Sequence, residues 1–322
     1  KCMPKNFFPR LIALALAAWC AVFPALSQQA ESVIVNRQQD AAAPWPFAEN
    51  AELLEVWFPQ MINCDAALLR YGDEVILIDC CSESYAKRLL VLLDGLGITH
   101  IRTIYNTHPH HDHLLGFMQV ADHVQVDELA VCFPEDTNDR MKTAVAAAAE
   151  RNIPVTHYGD GDIIHIGPAT LDVYQRAGDD WSINNRSAMM RLKMGERTML
   201  FTADMEKKAL DRAVETIPVQ ELQSDILKHP HHGLTLLNDD FAGAVQPLLS
   251  IITNNTRAQK ACYDLRLRKI PYIYTSSGYT HLVTDGAIWF AEVVPAEDMQ
   301  AAQKAFQQDP MHASTWIPSQ PK

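Results

Sequence analysis

A short apolar run, Ile101–Tyr105, leads directly into His108-Pro109-His110-His111-Asp112-His113, so four imidazoles and a carboxylate fall within six residues. Such groups are costly to bury one by one without partners. A fold that keeps them must therefore bring them to one point at the end of a strand. His108 and His110 alternate, so in extended backbone they project the same way, while Asp112 and His113 fall where the chain turns into a helix near Leu114. A strand-to-helix loop of this kind can aim two pairs of ligands at two adjacent divalent ions. Imidazole with carboxylate favours zinc, with manganese or iron where oxygen ligands dominate. The competing reading, a histidine-rich surface loop, fits poorly with a position directly behind a buried-type strand.

Two further segments add weight. Met199-Leu200-Phe201-Thr202-Ala203-Asp204 places an acid immediately after an apolar strand. Alone, Asp204 would read as a helix N-cap, and Glu206 and Lys207 opening a helix suit that view. A two-ion site, however, needs an anionic bridge. Lys228-His229-Pro230-His231-His232-Gly233 then supplies a second histidine cluster at a strand end, and seven of the thirteen histidines lie in the two clusters. Random surface scatter would rarely do this.

Around these motifs the chain alternates strands with helices. Strands are predicted at Leu54–Met61, Asp65–Arg70 and Val75–Asp79, with 71–74 as a turn. Tyr85–Leu96 has helical spacing and ends at Gly97. Val124–Val131 reads as a strand and Asp136–Arg151 as an alanine-rich helix, followed by strands at Pro154–His157, Asp162–Ile166 and Ala169–Tyr174. A polar loop, Gly178–Arg186, precedes a hairpin of Ala188–Lys193 and Thr198–Thr202. The remainder reads as a helix at Glu206–Thr216, strands at Ile226–Lys228, Leu248–Thr253 and Pro271–Tyr274, a basic helix at Arg257–Lys269, and a last strand at Gly286–Phe290. This α/β pattern suits two packed sheets with helices outside, in one domain from residue 52 to 294.

The ends read differently. Lys5 and Arg10 precede an uncharged apolar run, Leu11–Phe23, and Ala25-Leu26-Ser27 offers a cleavage site. That is the layout of a signal peptide, 1–27, and it implies an exported protein. An uncleaved anchor, suited by Trp19 and Phe23, is the alternative; a lipoprotein at Cys20 is disfavoured by the bulk of Trp19. Residues 28–51, with Pro44 and Pro46, read as an exposed lead-in, and 295–322 as a C-terminal tail that starts with a helix. No later segment is apolar enough to span a membrane. Losing Lys1, Lys5 and Arg10 on cleavage takes the net charge from −12 to −15. A charge of that sign repels a long polyanion and weighs against an extended nucleic-acid groove, though not against a small-molecule phosphodiester. Five cysteines remain, Cys64, Cys80, Cys81, Cys132 and Cys262, none with structural-zinc spacing. Cys64 could bridge to Cys80 or Cys81, or all three could be buried small apolar residues.

The order H-x-H-x-D-H, strand-terminal Asp, then H-H-G resembles the metallo-β-lactamase superfamily, and more narrowly the soluble domain of the DNA-uptake channel ComEC and its free-standing relatives. The likeness also takes in Val75–Asp79, Asp112–Gly116, Asn185-Arg186-Ser187 and Leu227-Lys228. It implies a four-layered αββα sandwich with metals at one edge. By position, His108 and His110 would hold one ion, Asp112 and His113 the second, and Asp204 would bridge them. His231, or His232 in its place, would complete the second ion's set, and Asp79 would support the site from behind. The chain departs from the family in three places. Many members have a third histidine for the first ion, and His123, His157 and His165, the histidines in that interval, look structural. Phe58–Asp65 replaces a glycine-rich turn, and Leu234 stands where serine is common.

The resemblance implies metal-dependent hydrolysis. Paired cations acidify a water and polarise a carbonyl or phosphoryl oxygen. Asp112 would orient that water, Lys228 would neutralise an anionic substrate or remain a solvated strand-end lysine, and His232 is the third candidate catalytic group. A small phosphodiester is the preferred substrate. A lactone, β-lactam or thioester is the alternative, as is a non-catalytic binding protein on the same scaffold.

Overall fold

The structure, a computed structural model, describes residues 32–36 and 43–309; the expected signal segment and the end of the tail lie outside the described residues. A nine-stranded sheet runs in the order Val33–Val35, Trp289–Val294, Tyr279–Thr284, Leu54–Phe58, Ala67–Tyr71, Glu74–Ile78, Thr103–Asn106, Leu129–Val131, Val155–His157. A seven-stranded sheet runs Ile163–Ile166, Ala169–Tyr174, Met189–Met194, Arg197–Phe201, Ile226–Lys228, Leu249–Ile252, Tyr272–Tyr274.

Side-chain alternation sorts these strands into layers. Val56, Phe58, Leu69, Ile76 and Ile78 of the first sheet meet Met190, Leu192, Met199, Phe201 and Ile226 of the second in one buried cluster. The opposite face of the first sheet, with Trp57, Leu68 and Leu77, packs on helices Glu83–Gly95, Phe117–His123 and Asp139–Glu150 through Leu89, Phe117 and Met141. The opposite face of the second, with Met189, Leu200 and Leu227, packs on Lys207–Thr216, Asp239–Val245 and Gln259–Leu267 through Leu210, Phe241 and Leu265. The expected αββα sandwich is therefore the fold.

The structure corrects three details and bears out the helix that opens the tail. The lead-in is not all irregular, because Val33–Val35 pairs in parallel with Trp289–Val294 at the sheet edge. Three β-branched residues meeting an unpaired strand outweigh the prolines that follow. The tail's helix, Ala296–Gln308, packs on Glu83–Gly95, and Met299 fills the space a Cβ on Gly95 would need, its Sδ 2.5 Å away. Val124–Val131 is two strands, Gln125–Val126 pairing with His100–Ile101 and Leu129–Val131 pairing with Thr103–Asn106. Tyr279–Thr284, absent from the sequence reading, is a central strand buried along its whole length. Burial on both faces removes the alternation that would reveal it.

Candidate metal centre

The motif residues converge where strand ends meet. The end of Glu74–Ile78 supplies Asp79, and the end of Thr103–Asn106 leads to His108–His113. Asp204 follows Arg197–Phe201, and His231 and His232 follow Ile226–Lys228. Backbone strain gathers here as well. Of nine non-glycine residues with positive φ among the described residues, five (Asp79, Cys81, Ala203, His231 and His232) lie in these loops. Each such conformation costs on the order of 1–3 kcal/mol and persists only where surrounding structure enforces it.

Asp204 sits at the middle. Its Oδ1 lies 3.2 Å from His113 Nε2 and 3.3 Å from His232 Nε2, and its Oδ2 lies 3.8 Å from His108 Nε2 and 3.6 Å from His231 Nε2. His232 Nε2 is also 3.4 Å from Asp112 Oδ2. The rings of His108 and His110 are 4.7 Å apart. His108, His113 and His232 are fully buried and Asp204 nearly so.

The far nitrogens of these rings are held from behind. His113 Nδ1 bonds Asp79 Oδ2 at 2.7 Å, and Asp79 also accepts from the Thr107 amide, the Thr107 hydroxyl and the Asn106 amide group. His232 Nδ1 lies 3.2 Å from Asp65 Oδ1 and 3.0 Å from Thr253 Oγ1. His108 Nδ1 lies 3.1 Å from Thr107 Oγ1. Carboxylate or hydroxyl partners at Nδ1 fix each tautomer and leave Nε2 free, the arrangement metal-ligating histidines use.

Those free atoms test whether the residues fit a metal. His108 Nε2, His113 Nε2, His232 Nε2 and Asp204 Oδ1 are buried and have no hydrogen-bond partner. A buried polar group left so costs roughly 1–3 kcal/mol, and four of them face a common centre. Asp65, His113, Asp204 and His232 offer donor atoms within 4.8 Å of one another, as do His108, His110 and Asp204. Nitrogen and oxygen donors of this kind suit a divalent cation, and Asp204 belongs to both sets.

Electrostatics agree. Burial alone would push the Asp204 and Asp112 carboxyls up, but the facing imidazoles hold both well below the usual carboxylate range. Asp65 is held down in the same way, against burial, by Lys228 and His232. Both carboxylates lining the centre, Asp112 and Asp204, are thus anionic at neutral pH.

The sequence profile of the metallo-beta-lactamase superfamily matches residues 61–240, more than half of the chain. The chain belongs to that superfamily. It is 25% identical over 169 residues to ComE operon protein 3 of Bacillus subtilis (strain 168). The match takes in 52% of this chain and 22% of that relative, so the chain spans only a fraction of the relative's length. This agrees with the ComEC-like branch. Among solved structures it is similar to the metallo-beta-lactamase fold protein YhfI from Bacillus subtilis, at 13% identity over 69% of this chain and 96% of that one, TM-score 0.46. It is also similar to a diphosphatase from the PhnP family, at 14% identity over 62% of this chain and 85% of that one, TM-score 0.38.

Several positions differ from the sequence reading. The sequence left His231 and His232 as alternatives beside Asp112 and His113; His231 Nε2 faces the Asp204 oxygen that His108 also faces, on the other side of the centre from His113. His232 takes the place beside Asp112 and His113. Lys228 is not an open cation for substrate. Alternation turns its side chain to the same face as Ile226, between the sheets, where it is 2% exposed, paired with Asp65 and donating to the Ala203 carbonyl at 2.9 Å. Asp65 was not anticipated as part of the site. Its only signal in sequence was an acid opening an otherwise apolar strand. His123 bonds Asp94 at 2.6 Å, and neither it nor His157 or His165 reaches the centre. The five described cysteines are free, and Cys64 Sγ sits 3.1 Å from the Asp112 carbonyl oxygen and 3.0 Å from the Ser82 amide. Among the described residues no helix is long and apolar enough to cross a membrane.

Proposed function

We propose that the protein is a metallo-hydrolase that cleaves a small phosphodiester with the help of two divalent cations, zinc by preference, which Asp204 would help to hold. The observation that carries the two-ion reading is the division of imidazoles between the two oxygens of Asp204, His108 and His231 on one, His113 and His232 on the other. On this reading His108, His110 and His231 hold one ion with Asp204, and Asp112, His113 and His232 hold the other. His231 then stands in for the third imidazole that the sequence lacks between Asp112 and Asp204.

Cations bound there supply Lewis acidity, which acidifies a water and draws charge from a phosphoryl oxygen. The residues of the chain do the rest. Asp112, kept anionic, accepts a hydrogen bond from the attacking water and fixes its direction. Asp79 and Asp65 hold the His113 and His232 rings so that neither rotates during turnover. Lys228 neutralises Asp65 and so lets that carboxylate stay buried beside the site. The motif resemblance to the DNA-uptake branch, with which the match to ComE operon protein 3 agrees, is what favours a phosphoester. The chain's net charge of −12 disfavours a long polyanion, whose binding needs many cationic contacts. Export through the segment 1–27 is part of the same proposal.

The test is turnover by zinc- or manganese-loaded protein of a nitrophenyl phosphodiester, a dinucleotide, duplex DNA and a chromogenic β-lactam. Cleavage of the small phosphodiesters ahead of the others is expected. Faster turnover of the β-lactam with no phosphodiester cleaved would move the assignment to the lactamase class.

A further inference from the structure

Six large apolar side chains are markedly exposed among the described residues; three of them, Leu236, Tyr263 and Leu267, line one groove, and a fourth, Leu234, follows the turn that carries His231 and His232. Leu234 and Leu236 follow His231-His232-Gly233 directly. The helix Gln259–Leu267 is keyed to that turn, since a Cβ on Gly233 would lie 2.8 Å from Ala258 Cβ and 3.5 Å from Ala261 Cβ. Between them runs a groove of about 630 Å³ lined by Leu236, Tyr263, Leu267 and Tyr274, with Lys260 and Arg266 along it. The Tyr274 hydroxyl lies 2.6 Å from Cys262 Sγ, which fixes that ring in the groove wall.

The charge here runs against the rest of the molecule. The chain is acidic overall, yet Arg257, Lys260, Arg266, Arg268 and Lys269 fall within thirteen residues. Asp264, the groove's acid, is taken by Arg268 at 3.0 Å, whereas Lys260 and Arg266 have no ion pair among the described residues and are exposed. Apolar side chains left in water beside unpaired cations mark a binding surface for a ligand that is apolar and negatively charged.

Resting on the hydrolase reading above, we propose that this groove is a substrate subsite for the apolar arm, aryl or alkyl, of an anionic ester whose scissile group sits at the metal centre. Lys260 and Arg266 take a negative charge carried by that arm. The position next to the His231–Gly233 turn lets one molecule reach both places.

Two measurements separate this proposal from the reading it rests on. The first is binding of 8-anilinonaphthalene-1-sulfonate, an anionic aryl probe, by fluorescence titration of the metal-loaded protein. Its affinity should fall roughly tenfold in the Tyr263→Ser/Leu267→Ser variant, the loss of a modest apolar contact, and again in Lys260→Gln/Arg266→Gln. All four residues are exposed, so the fold tolerates the changes. The second compares phenyl with methyl 4-nitrophenyl phosphate. The wild type should prefer the phenyl ester through KM, and Tyr263→Ser/Leu267→Ser should remove that preference while kcat for the methyl ester is kept. If no phosphodiester turns over, the phosphodiesterase assignment fails, and the dye titration still decides the groove. Unchanged dye affinity in both variants overturns the subsite. So does co-sedimentation with anionic phospholipid vesicles that these variants abolish while the phenyl preference persists, which would make the surface a membrane-docking face.

Discussion

Replacing Asp65 by asparagine removes one negative charge from the buried pair that links Lys228 to His232. Asp65 is 6% exposed and Lys228 2%. Without the carboxylate's charge, Lys228 Nζ keeps neutral acceptors, the Ala203 carbonyl at 2.9 Å and the amide oxygen of the new side chain, and a distant Asp204 Oδ1 at 4.0 Å as its only anion. An ammonium stranded in that way should cost about 3–5 kcal/mol of stability, a large share of the roughly 5–15 kcal/mol typical of a folded domain. Asp65→Asn/Lys228→Met removes both charges and keeps the volume, so it should recover roughly 2 kcal/mol or more of that loss. Metal binding should not recover with it. His232 Nδ1 loses its carboxylate in both variants, and loss of such a partner lowers affinity roughly 10- to 100-fold. Urea unfolding in the presence of chelator measures the stability, and competition against a chromogenic zinc chelator measures the affinity. If Asp65→Asn unfolds at the wild-type urea concentration, or if the double variant is no more stable than the single, the buried pair does not have the role assigned to it.

Three further outcomes are expected. His110→Ala/His113→Ala takes one imidazole from each side of Asp204 and should lose most of its bound metal, read by elemental analysis; wild-type content would show that the ligands lie elsewhere. Gly233→Ala puts a Cβ at φ +83° and 2.8 Å from Ala258 Cβ, so it should destabilise by about 1–3 kcal/mol, seen as a lower thermal midpoint. His281, buried, stacked on Trp57 and set between Glu55 and Glu292 at 3.1 Å each, is raised above its ordinary 6.5 by those carboxylates despite burial. Glu55 is lowered from 4.5 to about 2, mainly by His281 and Arg70 working against burial. The histidine term is complete below pH 6.5 and fades as pH rises through the raised value; the glutamate term is complete above pH 4.5 and fades as pH falls towards about 2. The pair therefore stabilises most between about pH 4.5 and 6.5, and His281→Gln should flatten the urea midpoint against pH on the alkaline side; parallel profiles for the two proteins would refute this.

How far the fold could be read from sequence depended on which faces of each strand are covered. Ile163–Ile166 and Ala169–Tyr174 alternate, the hairpin at Gly195 carries its turn residue, and Ile226–Lys228 and Leu249–Ile252 are short runs read as strands; all stand where the sequence placed them. Tyr279–Thr284 does not, because Thr280, His281 and Thr284 are as buried as Leu282 and Val283. His281 is held by Glu55 and Glu292, and the Thr284 hydroxyl by the Ile288 carbonyl, partners that only the assembled sheet provides. Val33–Val35 was missed for the converse reason: three residues form a strand only because Trp289–Val294 presents a free edge to them.

The site divides in the same manner. His108, His110, Asp112, His113, Asp204, His231 and His232 announce themselves by residue type at strand ends, and all seven come together. What sequence could not supply is the side of Asp204 each one faces. That depends on the left-handed backbone at His231 and His232, φ 49° and 52°, which turns two adjacent rings to opposite oxygens of one carboxylate. Nor could it show that Lys228 points inward. A lysine closing a strand is ordinarily solvated, and here only Asp65, 163 positions earlier in the chain, makes its burial tolerable. Ligands are thus legible one by one, whereas the groups that orient them are legible only as pairs. The Asp65–Lys228 and Asp65–His232 pairs are formed across the sandwich by loops distant in sequence. A substitution at Asp65 or Thr253 should therefore disturb the centre as an altered ligand would, although neither residue belongs to a histidine motif.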